Sequence, residues 1–317
     1  MAGKRGARAQ DLIWRLEALA FDVATAFLRL LPVDFASDCG AMLLRWIGPL
    51  TGTQKLVDKN LRIAFPDMSP EERRRIAIAQ WGNFGRYCFE MPLMDRITPA
   101  SGRVEVIGAE RLAEIAKGEE AAVYVSGHLA NFEVMAAVLM DAGIKCQVTY
   151  RPTNNPYFDQ RIIESRRKYG IRMFAPKGEV AALRGLFAAL KRDEAVALLT
   201  DQKFNEGITD PFFGQPARTS TGAVRLVLRT GARLQLGYIE RLKSARFRAV
   251  VCEPIYLKNT DDPAADLAHG VRLINAFIEE RIRAKPEDWW FWVHKRWTDE
   301  VYAALGDEFS RSPPARS

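Results

Sequence analysis

The chain carries only three histidines. One of them, His128, stands in the stretch "VYVSGHLANFEVMAAVLM", where a buried-looking apolar run gives way to a helix-forming one. Glu133 follows five positions later. An imidazole beside a carboxylate is standard equipment for moving a proton: the carboxylate holds one ring nitrogen, and the other takes a proton from a reacting hydroxyl. In a continuous helix, residues five apart lie about 140° from each other and meet poorly. The pair works if His128 lies on the turn after the strand "AAVYVSG" and Glu133 in the first turn of the next helix, with Asn131 as an N-cap between them. Glu133 is then expected to accept a hydrogen bond from His128. Ser126 is a poor nucleophile candidate, because "YVSGH" lacks the Gly-x-Ser-x-Gly elbow. Taken alone, the spacing also suits a histidine that merely packs at a strand end.

The elements around the pair give it a place. From Val104 onward short β-type runs alternate with helical ones: "VEVIG", "AAVYVSG", "KCQVTY", "IRMFA", "AVALLTD", "RLQLGYIER" and "FRAVVCEP" are the strands. Such alternation predicts an α/β fold with an open, mostly parallel sheet flanked by helices. Ligands in these sheets sit at the carboxyl ends of strands. His128, Arg151 and Asp201 each follow a strand, so all three are expected at one sheet edge. "SPEERRRIAIAQWGNFGRYCFEM" opens on a capping box, Ser69 with Glu72.

The N-terminal region reads differently. After the basic leader "MAGKRGARAQ" comes "DLIWRLEALAFDVATAFLRLL". At about 100° per residue, Asp11, Arg15, Ala18, Asp22, Thr25 and Arg29 form one narrow stripe. Leu12, Trp14, Leu16, Leu19, Phe21, Val23, Phe27, Leu30 and Leu31 cover the rest, interrupted only by Glu17. The pattern admits a core helix or a helix lying in a membrane interface with the leader on anionic headgroups. "PVDFASDCGAMLLRWIGPLTG" reads as a second apolar helix closed by Gly and Pro. The chain therefore divides into N-terminal membrane-associating helices (1–50), an α/β domain (51–305) and a disordered tail (306–317).

Lys and Arg number 46 against 39 Asp and Glu, a net +7, which suits an anionic partner: nucleic acid, lipid headgroups or an acidic carrier. The basic residues are dispersed and no nucleic-acid-binding module is visible, so a nucleic-acid role is disfavoured. Cys39, Cys88, Cys146 and Cys252 form no metal-binding pattern, and neither a Walker loop nor a dinucleotide fingerprint occurs; no metal and no cofactor is expected. Scattered cysteines in apolar or mixed segments fit a reducing, cytoplasmic setting.

Several blocks, in order, resemble one family: the late acyltransferases of bacterial lipid A biosynthesis, within the His-x4-acid acyltransferase superfamily. The blocks are "NLRIAFPDMSPEER", "SGHLANFE", "YRPTNNPYFDQRIIESR", "LLTDQKFNEGITDPFFGQPARTSTG" and "PEDWWFWVHKRW". The resemblance implies acyl transfer from an acyl carrier protein thioester to a hydroxyl of a phosphorylated glucosamine lipid, at the cytoplasmic face of the bacterial inner membrane. By matching motif it makes His128 the base, Glu133 its partner, and Arg151 and Asp201 the remaining polar site. A structural Arg151–Asp201 ion pair is the plainer alternative. Asn131, Gln202, Arg218, His294 and Arg296 lie in the same blocks and are candidate substrate contacts. The basic run "RIIESRRKYG" is either a carrier-protein contact or a solvated helix face. Acylation of another lysophospholipid or glycolipid, or a lipid-binding protein without catalysis, are the competing readings.

Overall fold

The computed structural model describes residues 2–118, 120–150, 152–167, 172–174, 179–192 and 194–305. Arg151 and the tail 306–317 lie outside the described residues. Four helices precede the first strand: α1 (Ala2–Leu28), α2 (Val33–Ile47), α3 (Thr53–Ala64) and α4 (Pro70–Glu90). The alternating part runs β1 (Val104–Ile107), α5 (Ala109–Ala116), β2 (Ala122–Ser126), α6 (Glu133–Asp141), β3 (Cys146–Thr149), α7 (Pro156–Arg167), β4 (Arg172–Phe174), α8 (Glu179–Leu190) and β5 (Ala195–Leu199). An antiparallel ribbon follows, β6 (Ile208–Phe212) with β7 (Gln215–Thr219), then α9 (Gly222–Thr230), β8 (Arg233–Lys243), β9 (Arg246–Val251), α10 (Pro263–Ala284) and α11 (Asp299–Ala304).

Seven strands form one sheet in the order β1-β9-β8-β2-β5-β3-β4. Every pairing is parallel except the β8–β9 hairpin. The α/β expectation therefore holds. Residues of α3, α4, α8, α9 and α10 pack on one face of the sheet, and residues of α2, α5 and α6 on the other. β2, buried along its whole length, is Val/Tyr-rich because it has helices above and below. The ribbon was not expected as strands. Pro211 and Pro216 interrupt its pattern, and proline is tolerated there because a two-stranded ribbon is all edge.

α4 starts as predicted, with the Ser69–Glu72 capping box and Pro70 in its first turn. It lies tightly against α2 at a point where two glycines face each other. A Cβ on Gly40 would meet the Gly85 carbonyl oxygen at 2.4 Å, so neither position tolerates a side chain without pushing the helices apart. α4 ends on Glu90, which is fully buried and paired with Arg241 of β8, Nη2 to Oε2 at 3.0 Å. Ser37 of α2 donates to the same carboxylate at 2.6 Å, and Asn131 at 2.9 Å. One carboxylate thus ties α2, α4, the sheet and the loop after His128. Glu90→Ala is expected to cost about 3–5 kcal/mol, because it strands the buried Arg241 charge. Urea denaturation checks this; a loss below about 1 kcal/mol would show the cluster to be solvated.

Among the described residues no helix is long and apolar enough to cross a membrane. α1 is built inside out. Its polar stripe faces protein: Asp22 pairs with Arg161 of α7, Asp11 accepts from the Tyr157 hydroxyl at 2.7 Å, and Arg29 pairs with Asp95. Leu12, Ile13, Leu16, Leu19, Val23 and Phe27 point outward and are exposed. The outer side of α2 and its end continue the apolar surface with Phe35, Met42, Trp46 and Leu50, the last two 78 % and 85 % exposed. Membrane contact, expected from the sequence, is not itself established by this arrangement. Trp14 and Phe21, grouped with the apolar side by periodicity, turn inward and are half-buried; Phe21 meets Phe158 edge-on at 4.9 Å.

Candidate active site

The register of the central strands decides what meets His128. β2 and β5 are parallel neighbours with Ser126 opposite Leu199. Two residues further along each strand come His128 and Asp201, so both leave the sheet edge side by side. Asp201 Oδ1 lies 2.7 Å from His128 Nδ1, and Oδ2 accepts from the His128 backbone N–H at 2.7 Å. The Trp289 indole N–H donates to Oδ2 at 2.8 Å. Gly127 leaves room for this carboxylate: a Cβ there would sit 3.2 Å from Oδ2. Burial raises the pKa of Asp201, but the nearby His128 charge and the hydrogen bonds from His128 and Trp289 outweigh it and leave the pKa lowered. Asp201 is therefore an anion at neutral pH. It holds the proton of His128 on Nδ1, which leaves Nε2 with a free lone pair.

Nε2 faces Gln202, whose amide nitrogen lies 3.4 Å away. Gln202 itself is exposed, so this is the open side of the imidazole. The other sides are aromatic: Phe291 edge-on at 4.5 Å, Phe132 edge-on at 4.7 Å and Trp290 parallel at 5.9 Å. A base walled by aromatic rings with one polar opening suits a substrate with an apolar body and a single reacting hydroxyl or carbonyl.

The expected His128–Glu133 hydrogen bond is absent among the described residues. Between the two residues Ala130 takes a left-handed conformation, φ 50°, and the Phe132 ring lies against the imidazole where the carboxylate was expected. Glu133, the first residue of α6, instead pairs bidentately with the Nε–Nη2 edge of Arg166 of α7, Nε to Oε2 at 3.1 Å, and also receives a hydrogen bond from buried Tyr87. It shares Tyr87 with Phe132, whose ring meets both Tyr87 and the imidazole, and so belongs to the neighbourhood of the site without bonding to His128.

The remaining candidates separate into rim and support. His294 sits exposed on the rim, its ring 5.2 Å from Phe291. Partial burial, and then the neighbouring His128, lower its pKa. Arg218 is half-buried and spends its guanidinium on the Asn205 carbonyl at 2.6 Å, closing the loop before β6. Two residues expected to contact substrate are supports instead. Arg296 is buried, donating to the Arg218 carbonyl at 3.1 Å and the Thr219 hydroxyl at 2.8 Å; desolvation pushes its pKa down to about 10. Asn131 is buried, too, and does not cap α6: its amide donates to Glu90, because the turn at Ala130 aims it into the protein. Arg151 lies outside the described residues; among the described residues the hydrogen-bond partners of Asp201 are His128 and Trp289.

Three contributors were not singled out from the sequence. Arg166 was read only as part of a basic run. Trp289 entered only as part of the block "PEDWWFWVHKRW", yet it is fully buried and bonded to Asp201. Asn60, in "NLRIAFP", donates to the carbonyls of Trp292 at 2.7 Å and His294 at 2.8 Å and so anchors the aromatic wall. The wall grips the catalytic loop through its backbone: the Ala130 N–H donates to the Asp288 carbonyl at 2.8 Å, and the Trp290 N–H to the His128 carbonyl at 2.9 Å. A left-handed alanine costs about 1–3 kcal/mol and persists where surrounding bonds over-determine it.

A histidine held by a buried aspartate at the carboxyl edge of an α/β sheet, among aromatic rings, is an arrangement able to move a proton. The comparisons narrow it. Residues 17–299 match the model of the family described as bacterial lipid A biosynthesis acyltransferase, and the chain belongs to that family. It is 26 % identical over 278 residues to the lipid A biosynthesis lauroyltransferase of Escherichia coli K12, covering 84 % of this chain and 85 % of that one. Over 254 residues it is 26 % identical to the lipid A biosynthesis palmitoleoyltransferase of the same organism, covering 77 % and 78 %. A lipid A biosynthesis acyltransferase of Shigella flexneri matches to the same extent.

Proposed function

We propose that the chain performs late acylation of a lipid A precursor, moving a fatty acyl group from the thioester of an acyl carrier protein to a hydroxyl of a phosphorylated glucosamine lipid. The observation that carries the reading is the His128 imidazole, fixed on Nδ1 by ionised Asp201 and open on Nε2 toward Gln202, in a chain of this family. Nε2 takes the proton of the acceptor hydroxyl as its oxygen attacks the thioester carbonyl, and Asp201 stabilises the imidazolium. The tetrahedral intermediate collapses to the ester, the C–S bond breaks, and the imidazolium returns the proton to the thiolate. No acyl-enzyme is needed. Glu133 with Arg166 would orient the acceptor or the donor beside the base. The aromatic wall would receive the acyl chain.

The donor would put the reaction on the cytoplasmic face of the inner membrane. The outward apolar residues of α1 and α2 support bilayer contact, since so many large exposed hydrophobic side chains on two helices are unusual on a free soluble surface, and Trp46 and the basic leader suit a headgroup layer. Trp46→Glu together with Leu50→Glu is expected to shift the protein from sedimenting phosphatidylglycerol-containing vesicles to the supernatant by tenfold or more, with the far-ultraviolet spectrum unchanged. Equal sedimentation of the two forms would remove α2 from the membrane face. The function is tested by incubating the enzyme with a lipid A precursor and acyl carrier protein charged with a labelled fatty acid, then weighing the lipid by mass spectrometry. A gain of one acyl residue supports the reading; acylation only of a lysophospholipid, or of neither lipid, rejects it.

A further inference from the structure

α1 touches more than its surroundings. Its inward stripe lies along α7, and α7 carries Arg166, which clasps Glu133 beside the base. The joint between the two helices is Asn155, a buried amide just before α7. Its Oδ1 accepts from the Tyr157 and Phe158 N–H groups at 3.0 and 3.2 Å, capping α7. Its Nδ2 donates to the Trp14 carbonyl and to Glu17 Oε2 of α1, both at 3.0 Å. All of the hydrogen-bonding directions of one side chain are thus divided between the two helices. Glu17, the charge that interrupts the apolar side of α1, has its purpose in this contact. The Asp22–Arg161 pair and the Tyr157–Asp11 hydrogen bond flank the joint.

We propose that Asn155 is a positioning residue through which α1 holds α7, and hence Arg166, in register with Glu133, so that α1 serves turnover as well as location. The proposal rests on the acyl-transfer reading for its kinetic test, but the mechanical link does not. The outer pairs of the joint are surface pairs, worth little in water. Beside a bilayer the local dielectric falls and such pairs strengthen, so seating the apolar side of α1 in lipid tightens the same contacts that set α7.

Asn155→Asp is the discriminating variant, because aspartate still caps α7 but offers no donor to α1 and sets its charge against Glu17. In detergent micelles, where anchoring is not limiting, kcat is expected to fall about tenfold with KM for the lipid acceptor little changed; displacements of an ångström at a remote positioning group have effects of this order or larger. Adding Glu17→Gln to that variant restores a donor–acceptor pair with the roles exchanged and is expected to recover at least a third of the loss. Hydrogen exchange reads the link without any substrate: α7 amides in Asn155→Asp are expected to lose at least tenfold protection. Unaltered α7 protection, wild-type kcat in the single variant, or no recovery in the double variant each overturns the proposal. A wild-type enzyme that shows the α7 link but transfers no acyl group would overturn the functional reading and leave the link standing.

Discussion

Asp201→Asn is expected to lower kcat for acyl transfer by about three to four orders of magnitude, the scale seen when a histidine base loses the carboxylate that sets its tautomer. The asparagine side chain is nearly the same size. With its oxygen in the place of Oδ2 it still accepts from the His128 backbone and Trp289, and its NH2 then faces the Nδ1–H of the His128 ring. Satisfying the ring with that NH2 forces the proton of His128 onto Nε2, where the base needs a lone pair. The charge that stabilises the imidazolium is also gone. The measurement is the single-turnover rate with acyl carrier protein thioester, corrected for the folded fraction by circular dichroism. A rate within tenfold of the wild type would transfer the partner role to Glu133, as the sequence spacing first indicated. Because the folded-state pKa of Asp201 is lowered, its ionisation contributes stability above the usual carboxylate value of about 3.9, lost only as pH falls through the lower folded value. Mild acidification should therefore leave Asp201 ionised and the loop it braces in place.

His128→Ala removes the base itself, and about two to four orders of magnitude in kcat should go with it. The fold should survive, since the loop is held mainly by backbone bonds from the 286–290 segment and by Asn131. Both variants remove members of one unit, so the double variant should lose no more than about tenfold beyond the worse single one. Additive losses, or an active His128→Ala enzyme, would mean that the proton leaves by another route. The same single-turnover assay reads both outcomes.

How much of this was legible beforehand follows from the kind of information each feature needs. His128 and Asp201 could be set at strand ends because the apolar runs "AAVYVS" and "AVALL" are local signals. That His128 and Asp201 come from adjacent strands could not be read, because strand order is a property of the assembled sheet. β2 and β5 are neighbours although three elements of the other kind and two strands separate them along the chain. Glu133 was favoured as the partner for nearness in sequence; one left-handed residue, Ala130, and one ring, Phe132, undid it. The helical stripe of α1 was read correctly as a stripe, but periodicity says nothing about which side faces water. Arg296 was placed among substrate contacts, and Trp289 was not singled out, because a cation and an indole are residue types that ordinarily keep their polar atoms accessible. Only the hydrogen bonds of their polar atoms, to Asp201 and to Thr219, made burial acceptable for them.

The aromatic wall has a consequence for the order in which the molecule comes into being. Synthesis proceeds from the N-terminus and folding can follow it, so the sheet edge with His128 and Asp201 exists as sequence long before residues 286–298 are made. Until those residues arrive, Asp201 lacks its indole donor, the loop at Ala130 lacks the two backbone bonds that hold it, and Asn60 has no carbonyls to grip. A nascent chain paused before Pro286 thus carries the outward apolar residues of its first helices while the His128–Asp201 pair is still unbraced.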